Sequence, residues 1–438
     1  MDIGLLTILL FLAILLLFAM GAPVAFALGG VAMLFGLLTW GPQSFNIIPP
    51  TVMNGTSSFL LLAVPLFIFM GQILFRSGLG EAMFHAVHVL AGRIRGGLAI
   101  GVIIVCSLMG AMVGIIGAGI MTAGSVAIPP MLSKGYNKYL TLGSVMAGGG
   151  MGILIPPSIP MIIFASVTNT SIGRMFAGGV FPGLIMAGMF IIYIGVRCFI
   201  QPEMGPVLPR SENTERRREI LIAARDGGLA FLLILIVLGS ILVGAATPTE
   251  AAAIGGVGAI LIAILYRHFN WQVLKESSIG AMKLTAIFVW IVIGATVFSN
   301  FHMLMGAGRL LTNFTAEMGL GPWGTIIMMQ VSMLVMGFIM DEFIIVLICA
   351  PLYTPIAISY GFDPIWFGIL MILNMEIAIQ TPPYGFALFY LKGVAPPEIT
   401  MMDIYKSIGP FLTIKFIVLV LCMVFPDIIT WLPNRLFN

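Results

Sequence analysis

The sequence predicts an all-α polytopic membrane protein with about ten spanning helices and two re-entrant hairpins, arranged as two inverted repeats. Its 438 residues are 60% hydrophobic and only 8% charged. No soluble domain can bury that much apolar surface. Two proline pairs, Pro156-Pro157 and Pro382-Pro383, interrupt long apolar runs at equivalent places in the two halves of the chain. Composition therefore sets the class, and the paired interruptions indicate that one half repeats the other.

Ten apolar runs are long enough to cross a bilayer, which takes about 17–25 residues. Regions 98–130 and 323–357 are also apolar, and each ends at a proline followed by a glycine turn. Since neither carries a charged turn suited to the far membrane surface, we expect a re-entrant hairpin in each, with two thin spanning helices as the alternative. The ten spanning runs are 3–19, 22–38, 58–75, 140–169, 176–198, 228–245, 250–266, 283–300, 365–390 and 407–425, of which 140–169 and 365–390 are broken by the proline pairs.

The distribution of basic residues predicts the orientation of these helices. With ten crossings, the loops on one side contain 16 of the 20 Lys and Arg residues. The other side has Arg174, Arg309 and Arg435, and Lys415 lies inside a span. Because Lys and Arg concentrate in cytoplasmic loops, we expect both termini to face outward and the polar segment 201–227 to be cytoplasmic.

An internal repeat relates the two halves. Four residues recur at a separation of 226 positions: Pro129, Gly135, Pro156 and Pro157 precede Pro355, Gly361, Pro382 and Pro383. An odd number of predicted crossings separates the copies, so the second copy is expected to be inverted, as is typical of secondary transporters. The predicted parts are scaffold helices in 1–57 and 228–282, repeats in 58–200 and 283–426, a linker in 201–227 and a tail in 427–438.

Each broken helix predicts a binding site for ions. Proline donates no backbone hydrogen bond, so carbonyls ahead of each pair lose their helical partners and become available to a small hard cation. The helix that restarts presents free N–H groups and its positive dipole end, which favour an anion. Thr381 is expected to cap the second restart, with Pro382 at its first position, and Ser158 to act comparably in the first copy. The freed carbonyls are those of Gly152, Ile153, Ala378 and Ile379; kinks satisfied by neighbouring helices are the alternative.

Acidic residues in the apolar runs are further candidates, because a carboxylate buried in a membrane is costly and usually functional. We expect Asp341, at the second hairpin tip, to act in the site or in its gating, with an interfacial acid as the alternative. Glu342 and Glu376 are expected either to take a proton or to balance a cation without contacting substrate. The full set of expected substrate contacts is Gly114, Gly117, Ser158, Asp341, Thr381, Pro157 and Pro383.

Other classes of function find little support in the sequence. The net charge of +3 does not suggest a nucleic-acid partner, and the four cysteines have no metal-binding spacing. No HExxH motif or Ser/His/Asp set indicates an enzyme, and no organic cofactor is expected. His85 and His88 fit the polar face of an interfacial helix better than a metal site. A passive channel is the other class that these residues leave open.

The chain resembles the large membrane subunit of TRAP (tripartite ATP-independent periplasmic) transporters, within the ion-transporter superfamily. The resemblance runs nearly end to end and rests on four motifs: Leu61-Leu62-Ala63-Val64-Pro65-Leu66-Phe67-Ile68, Gly152-Ile153-Leu154-Ile155-Pro156-Pro157-Ser158, Ala246-Thr247-Pro248-Thr249-Glu250-Ala251 and Thr381-Pro382-Pro383. It implies a sodium-coupled symporter of the bacterial inner membrane that works by an elevator movement. It also implies a small four-helix membrane subunit and a soluble periplasmic binding protein that delivers a carboxylate substrate.

The resemblance further implies two sodium sites and exposes two departures from the family pattern. The sodium ligands would be backbone groups of Met151, Leu154 and Pro156 with the first hairpin, and Gly337, Ala378, Thr381 and Tyr384 with the second. The usual Ser-Gly-Ser-Ser tip reads Val113-Gly114-Ile115-Ile116, which removes hydroxyl ligands from the first site. Glu376 and Gln380 replace small apolar residues before the second proline pair. A stand-alone cation-coupled symporter that needs no binding protein is the alternative within the same mechanical class.

Overall fold

The computed structural model describes residues 3–91, 94–207 and 216–437, and every regular element in these ranges is helical. This confirms the predicted all-α class. Within the described residues, seven helical stretches are long and apolar enough to cross a membrane: Val24–Thr56, Phe59–Arg76, Ile172–Ile200, Pro248–Leu265, Trp271–Leu304, Glu342–Ser359 and Met401–Val424. The hairpin arm Glu342–Ser359 is among them, so length alone does not separate a hairpin arm from a spanning helix. The count of ten spans stays a prediction.

One group of helices comes from the N-terminal and central parts of the chain. Helix α13 (Trp271–Leu304) packs along α2 (Val24–Trp40) and α4 (Ala63–Arg76). Helix α12 (Pro248–Leu265) packs against α4 and α11 (Arg216–Leu242). The backbones of α2 and α13 approach closely, since a methyl group added to Gly294 would lie 2.2 Å from the carbonyl oxygen of Ala25. The group comprises α1 (Ile3–Ala19), α2 (Val24–Trp40), α3 (Ile48–Thr56), α4 (Ala63–Arg76), α5 (Leu79–Ala91), α11 (Arg216–Leu242), α12 (Pro248–Leu265), α13 (Trp271–Leu304) and α14 (Ala307–Glu317).

A second group contains both predicted hairpins and both broken helices. Its members from the first half are α6 (Gly97–Val113), α7 (Ile116–Ser133), α8 (Lys138–Gly150), α9 (Ile159–Thr168) and α10 (Ile172–Ile200). Its members from the second half are α15 (Gly321–Met336), α16 (Glu342–Ser359), α17 (Pro364–Ala378), α18 (Phe386–Val394), α19 (Met401–Val424) and α20 (Asp427–Leu436). Both proline pairs have a cis peptide bond.

Local sequence signals fix where several of these helices begin. Thr247 and Glu250 form a reciprocal capping box at the start of α12, and Thr400 and Asp403 form one at the start of α19. Each pair satisfies backbone N–H groups that have no partner within the helix. Asp363 caps α17 by accepting hydrogen bonds from two backbone N–H groups.

The structure differs from the predicted elements in three places. Helix α11 begins at Arg216, so the C-terminal part of the predicted 201–227 linker is helical, while residues 208–215 lie outside the described residues. Helix α13 begins well before the predicted span 283–300, because the Asn270 side chain caps it and its first turns contain the good helix formers Gln272, Lys275 and Glu276. The predicted tail 427–438 contains helix α20. Apolar runs mark the membrane-facing part of a helix and miss such polar extensions.

Candidate functional site

The tip of the first hairpin lies against the first helix break. Helix α6 ends at Val113, and the following residue, Gly114, adopts a left-handed conformation with φ of 66°. A methyl group on Gly114 would lie 3.1 Å from the carbonyl oxygen of Pro157. One turn earlier, a methyl group on Gly110 would lie 2.5 Å from the Cα atom of Gly152. Glycine at these positions therefore lets the hairpin touch the backbone of the break.

The second hairpin meets the second break in a comparable way. A methyl group on Gly337 would lie only 2.2 Å from the Cβ atom of Ala378, the last residue of α17. The chain then turns through residues 338–340 before Asp341 caps α16 by accepting a hydrogen bond of 3.0 Å from the N–H of Phe343. Gly337 and Ala378, both predicted sodium-site residues, are thus brought into direct contact.

The two hairpins also pack across the halves of the chain. Helix α7 of the first hairpin packs on α18, where a methyl group on Gly117 would lie 2.9 Å from the ring of Tyr390. Helix α16 of the second hairpin packs on α9, the helix that restarts after the first break. Each hairpin therefore contacts both broken helices.

A cavity of about 1000 Å³ lies where these elements meet α1, α2, α4 and α13. Gly117, Asp341, Glu342 and Tyr384 are the predicted site residues that line it. The wall is otherwise mainly apolar and aromatic, which we did not predict. The sequence signal was the run of aromatic residues that follows Pro383. The aromatic lining residues are Phe18, Phe288, Phe338, Phe343, Tyr384, Phe386, Phe389 and Tyr390.

The other predicted substrate contacts do not line this cavity, although several are next in sequence to residues that do. Gly114, Pro157 and Ser158 are enclosed by the first break and its hairpin. Thr381 is half-buried, and Pro383 is exposed with its carbonyl oxygen accepting a hydrogen bond from the Tyr405 hydroxyl. The structure therefore divides the predicted contacts into a cavity set and a set that shapes the breaks.

Three of the four carbonyls that we expected to be freed accept hydrogen bonds, so the expectation is wrong for them. The Ser158 hydroxyl donates to the carbonyl of Ile153. The N–H of Thr381 donates to Ala378 and that of Ala387 to Ile379, at 3.1 Å each. Irregular turns at the breaks bring other hydrogen-bond donors to these oxygens. The prediction considered only the N–H group four residues later, as in a regular helix. A carbonyl oxygen has two lone pairs, so one such bond still leaves a place for a cation.

The two predicted helix caps have different outcomes. Ser158 caps α9 by accepting from the N–H of Met161, as predicted. The prediction for Thr381 and Pro382 is wrong, because α18 begins at Phe386 and its cap is Gly385, which has no side chain to offer. Thr381 instead donates its hydroxyl back to the carbonyl of Ile377 at 2.7 Å. Helix α18 begins three residues after Pro383, so Thr381 lies too far ahead of its first turn to cap it.

The predicted sodium ligands differ in accessibility between the breaks. Met151, Leu154 and Pro156 are all buried, and the carbonyl of Met151 accepts from the N–H groups of Leu154 and Ile155. In the second set Gly337 and Ala378 are also buried, whereas Thr381 is half-buried and Tyr384 is exposed. The second break is therefore the more open of the two. In the described part of the chain, no group of three His, Cys, Asp or Glu side chains could hold a metal ion.

Glu376 has a partner that sequence reasoning did not find. Its carboxylate lies 2.9 Å from the Lys415 ammonium of α19, and both side chains are fully buried. Lys415 also donates to the Gln380 side-chain oxygen at 2.7 Å. The sequence signal for this pair was a lysine in one apolar run and a glutamate in another. Charged side chains buried in a membrane usually pair with one another. The prediction that His85 and His88 belong to a polar helix face and not to a metal site is not tested, because the His88 side chain lies outside the described residues.

In this all-helical membrane protein, two hairpin tips and two interrupted helices surround one cavity. This arrangement is typical of the class of membrane transport proteins. Residues 11–428 match the model of a family described as the tripartite ATP-independent periplasmic transporter, DctM component. The chain belongs to this family, which confirms the resemblance drawn from its motifs. It is accordingly a TRAP transporter large permease subunit and not an enzyme.

Curated relatives extend over nearly the whole chain. The C4-dicarboxylate TRAP transporter large permease protein DctM of Vibrio cholerae is 34% identical, covering 98% of each chain. The DctM protein of Pseudomonas aeruginosa is also 34% identical, over 93% of this chain and 94% of that protein. The sialic acid TRAP transporter large permease protein SiaM of Vibrio cholerae is 31% identical over 96% of each.

Solved structures share the fold at much lower identity. The YdaH transporter of Alcanivorax borkumensis superposes with a TM-score of 0.65 at 16% identity, covering 95% of this chain and 98% of that one. MtrF of Neisseria gonorrhoeae gives a TM-score of 0.60 at 14% identity, covering 88% and 84%. At these identities the likeness concerns the fold alone.

Proposed function

We propose that this chain is the permease of a sodium-coupled importer of a small organic acid in the bacterial inner membrane, with both termini periplasmic. A small four-helix membrane subunit and a periplasmic binding protein would complete the transporter, the latter delivering the substrate. The observation that carries the proposal is the cavity of about 1000 Å³ bordered by both hairpin tips and by the helices that restart after both breaks. Relatives named for C4-dicarboxylates and sialic acid support an organic acid.

The helix breaks supply complementary groups for a cation and an anion. The cap of α18 is Gly385, which has no side chain to offer the first turn. The N–H groups of Ala387 and Leu388 donate to the carbonyls of Ile379 and Gly385, so the N–H of Phe386 and the helix dipole are the groups that favour a carboxylate there. The carbonyls at the C-terminal end of α17 favour a cation, with Gly337, Ala378, Thr381 and Tyr384 as the proposed second sodium site. Met151, Leu154 and Pro156 form the proposed first site, in a more enclosed position.

An elevator movement suits the two groups of helices. The hairpins and broken helices form one continuously packed group, and it contacts the other group where α5 and α4 pack on α6 and where α13 packs on α16. We propose that the former is the moving part, built as two inverted repeats, and that the latter is the scaffold. The cavity lies between them, so a displacement of the moving part would carry a bound substrate along the scaffold.

The test is uptake into proteoliposomes that contain this chain, its small subunit and the cognate binding protein. A sodium gradient should drive accumulation, whereas a choline gradient at the same clamped membrane potential should not. Uptake that persists without sodium would contradict the coupling, and uptake by this chain alone would favour the stand-alone symporter.

Site variants test the ion assignment against a matched control. Thr381→Ala should weaken the dependence of uptake on sodium, and Asp341→Ala should reduce uptake. Thr312→Ala is the control, because Thr312 in α14 makes the same hydroxyl-to-carbonyl bond four residues back, to Gly308 at 2.9 Å. Unchanged coupling in both site variants would remove these residues from the site.

A further inference from the structure

A buried charged cluster links the two broken helices outside the substrate cavity. Lys415, in the middle of α19, places its ammonium 2.9 Å from the Glu376 carboxylate and 2.7 Å from the side-chain oxygen of Gln380. All three residues are fully buried, and Glu376 Oε2 has no hydrogen-bond partner among the described residues. None of the three lines the cavity of about 1000 Å³.

The cluster lies between the C-terminal ends of two helices. Glu376 belongs to the last turn of α17, and Gln380 lies two residues beyond its end. Gly150 is the last residue of α8, and a methyl group on it would lie 3.0 Å from Lys415 Nζ and 1.9 Å from Gln380 Nε2. Since helix C-terminal ends carry partial negative charge, this is a position at which a cation is stabilised.

We infer that the Lys415 ammonium is a tethered cation, which fills a monovalent-cation site built from Glu376, Gln380 and the ends of α8 and α17. The oxygen atoms around it are those that a hard cation such as sodium prefers. An ammonium on the chain meets the same charge requirement and cannot dissociate. This position shares no residue with the two proposed sodium sites but lies next to both along the chain, since Gly150 precedes Met151 and Gln380 precedes Thr381.

The inference predicts that removing the ammonium creates a dissociable sodium site. In Lys415→Met the Glu376 carboxylate and the two helix ends remain, so sodium should bind the purified protein and raise its apparent Tm by mass action. We expect a NaCl-dependent rise in Tm beyond that of the wild type, absent in choline chloride. The double variant Lys415→Met/Glu376→Met removes both charges and should lose the additional rise.

Lys415→Arg retains the charge and is the matched control, expected to keep the sodium dependence of the wild type. The inference is overturned if Lys415→Met shows the sodium dependence of the wild type, or if the double variant gains as much as the single one. It is also overturned if Lys415→Met fails to fold even in NaCl while the double variant folds, since sodium should replace the ammonium.

The inference adds a cation position to the proposed function, but its Tm measurement needs neither partners nor substrate. The two experiments can therefore fail separately. If the wild-type transporter shows no sodium-driven uptake, the coupling proposal is rejected and the Tm comparison still stands. A missing Tm response in Lys415→Met would reject the tethered cation and leave the uptake result standing.

Discussion

The contact between Gly337 and Ala378 predicts a pair of mutually compensating substitutions. In Gly337→Ala the new methyl carbon would lie 2.2 Å from the Cβ atom of Ala378, whereas carbon atoms pack at about 3.5–4.0 Å. Gly337 has a helical φ of −67°, so alanine causes no backbone strain there. The hairpin tip must therefore move from the end of α17 by more than 1 Å, at roughly 1–3 kcal/mol for overpacking.

The compensating change is Ala378→Gly, which removes the atom that the new methyl group would strike. The double variant Gly337→Ala/Ala378→Gly should recover most of the stability and uptake lost in Gly337→Ala, with a coupling of about 0.5–3 kcal/mol as found for residues in contact. Gly188→Ala is the control: Gly188 lies inside α10 with no atom within 4 Å of the added carbon, so this change should be neutral or stabilise the protein by about 0.5–1 kcal/mol.

The assay is thermal unfolding of the detergent-purified variants, followed by sodium-driven uptake after reconstitution. A Gly337→Ala protein with the Tm and uptake of the wild type would refute the packing argument. Failure of Ala378→Gly to compensate would show that the lost stability arises elsewhere.

Three further substitutions test individual hydrogen bonds, each by the change in apparent Tm. Ser158→Ala removes the buried donor to the Ile153 carbonyl and should destabilise the protein by about 1–3 kcal/mol, whereas Ser158→Thr should retain part of the bond. Asp363→Ala removes the cap of α17 and should cost about 0.5–2 kcal/mol, with Asn at this position close to wild type. Trp366→Phe leaves the Cys422 carbonyl without its donor at 2.9 Å, at about 1–3 kcal/mol. An unchanged Tm in any of these variants contradicts the corresponding bond.

Helix positions and breaks were predictable from the sequence because they depend on local chemistry. The proline pairs cannot continue a helix, and the structure ends α8 at Gly150 and α17 at Ala378, a few residues before each pair. Hairpin arms were likewise predicted within a few residues, since their apolar runs are bounded by glycine and proline.

The groups around each break were less predictable, because their partners come from distant parts of the chain or from irregular turns. The carbonyl of Ile379 is satisfied by Ala387, beyond the proline pair, and no periodicity indicates that bond. Lys415 read as a lone charge inside a span, although its position on α19 brings it to Glu376. Which residues line the cavity depends on how each hairpin packs against the broken helices of both halves. The four residues that recur at a separation of 226 positions do not determine that packing.

The crossed contacts of the hairpins have a consequence for biosynthesis. Helix α7 packs on α18, which begins about 250 residues later in the chain. At translation rates of about 5–20 residues per second, α7 emerges from the ribosome roughly 10–50 s before its partner. The glycine-rich face of α7 must therefore remain in the nascent protein without its final neighbour, and the first hairpin reaches its mature environment only when the last helices have been inserted.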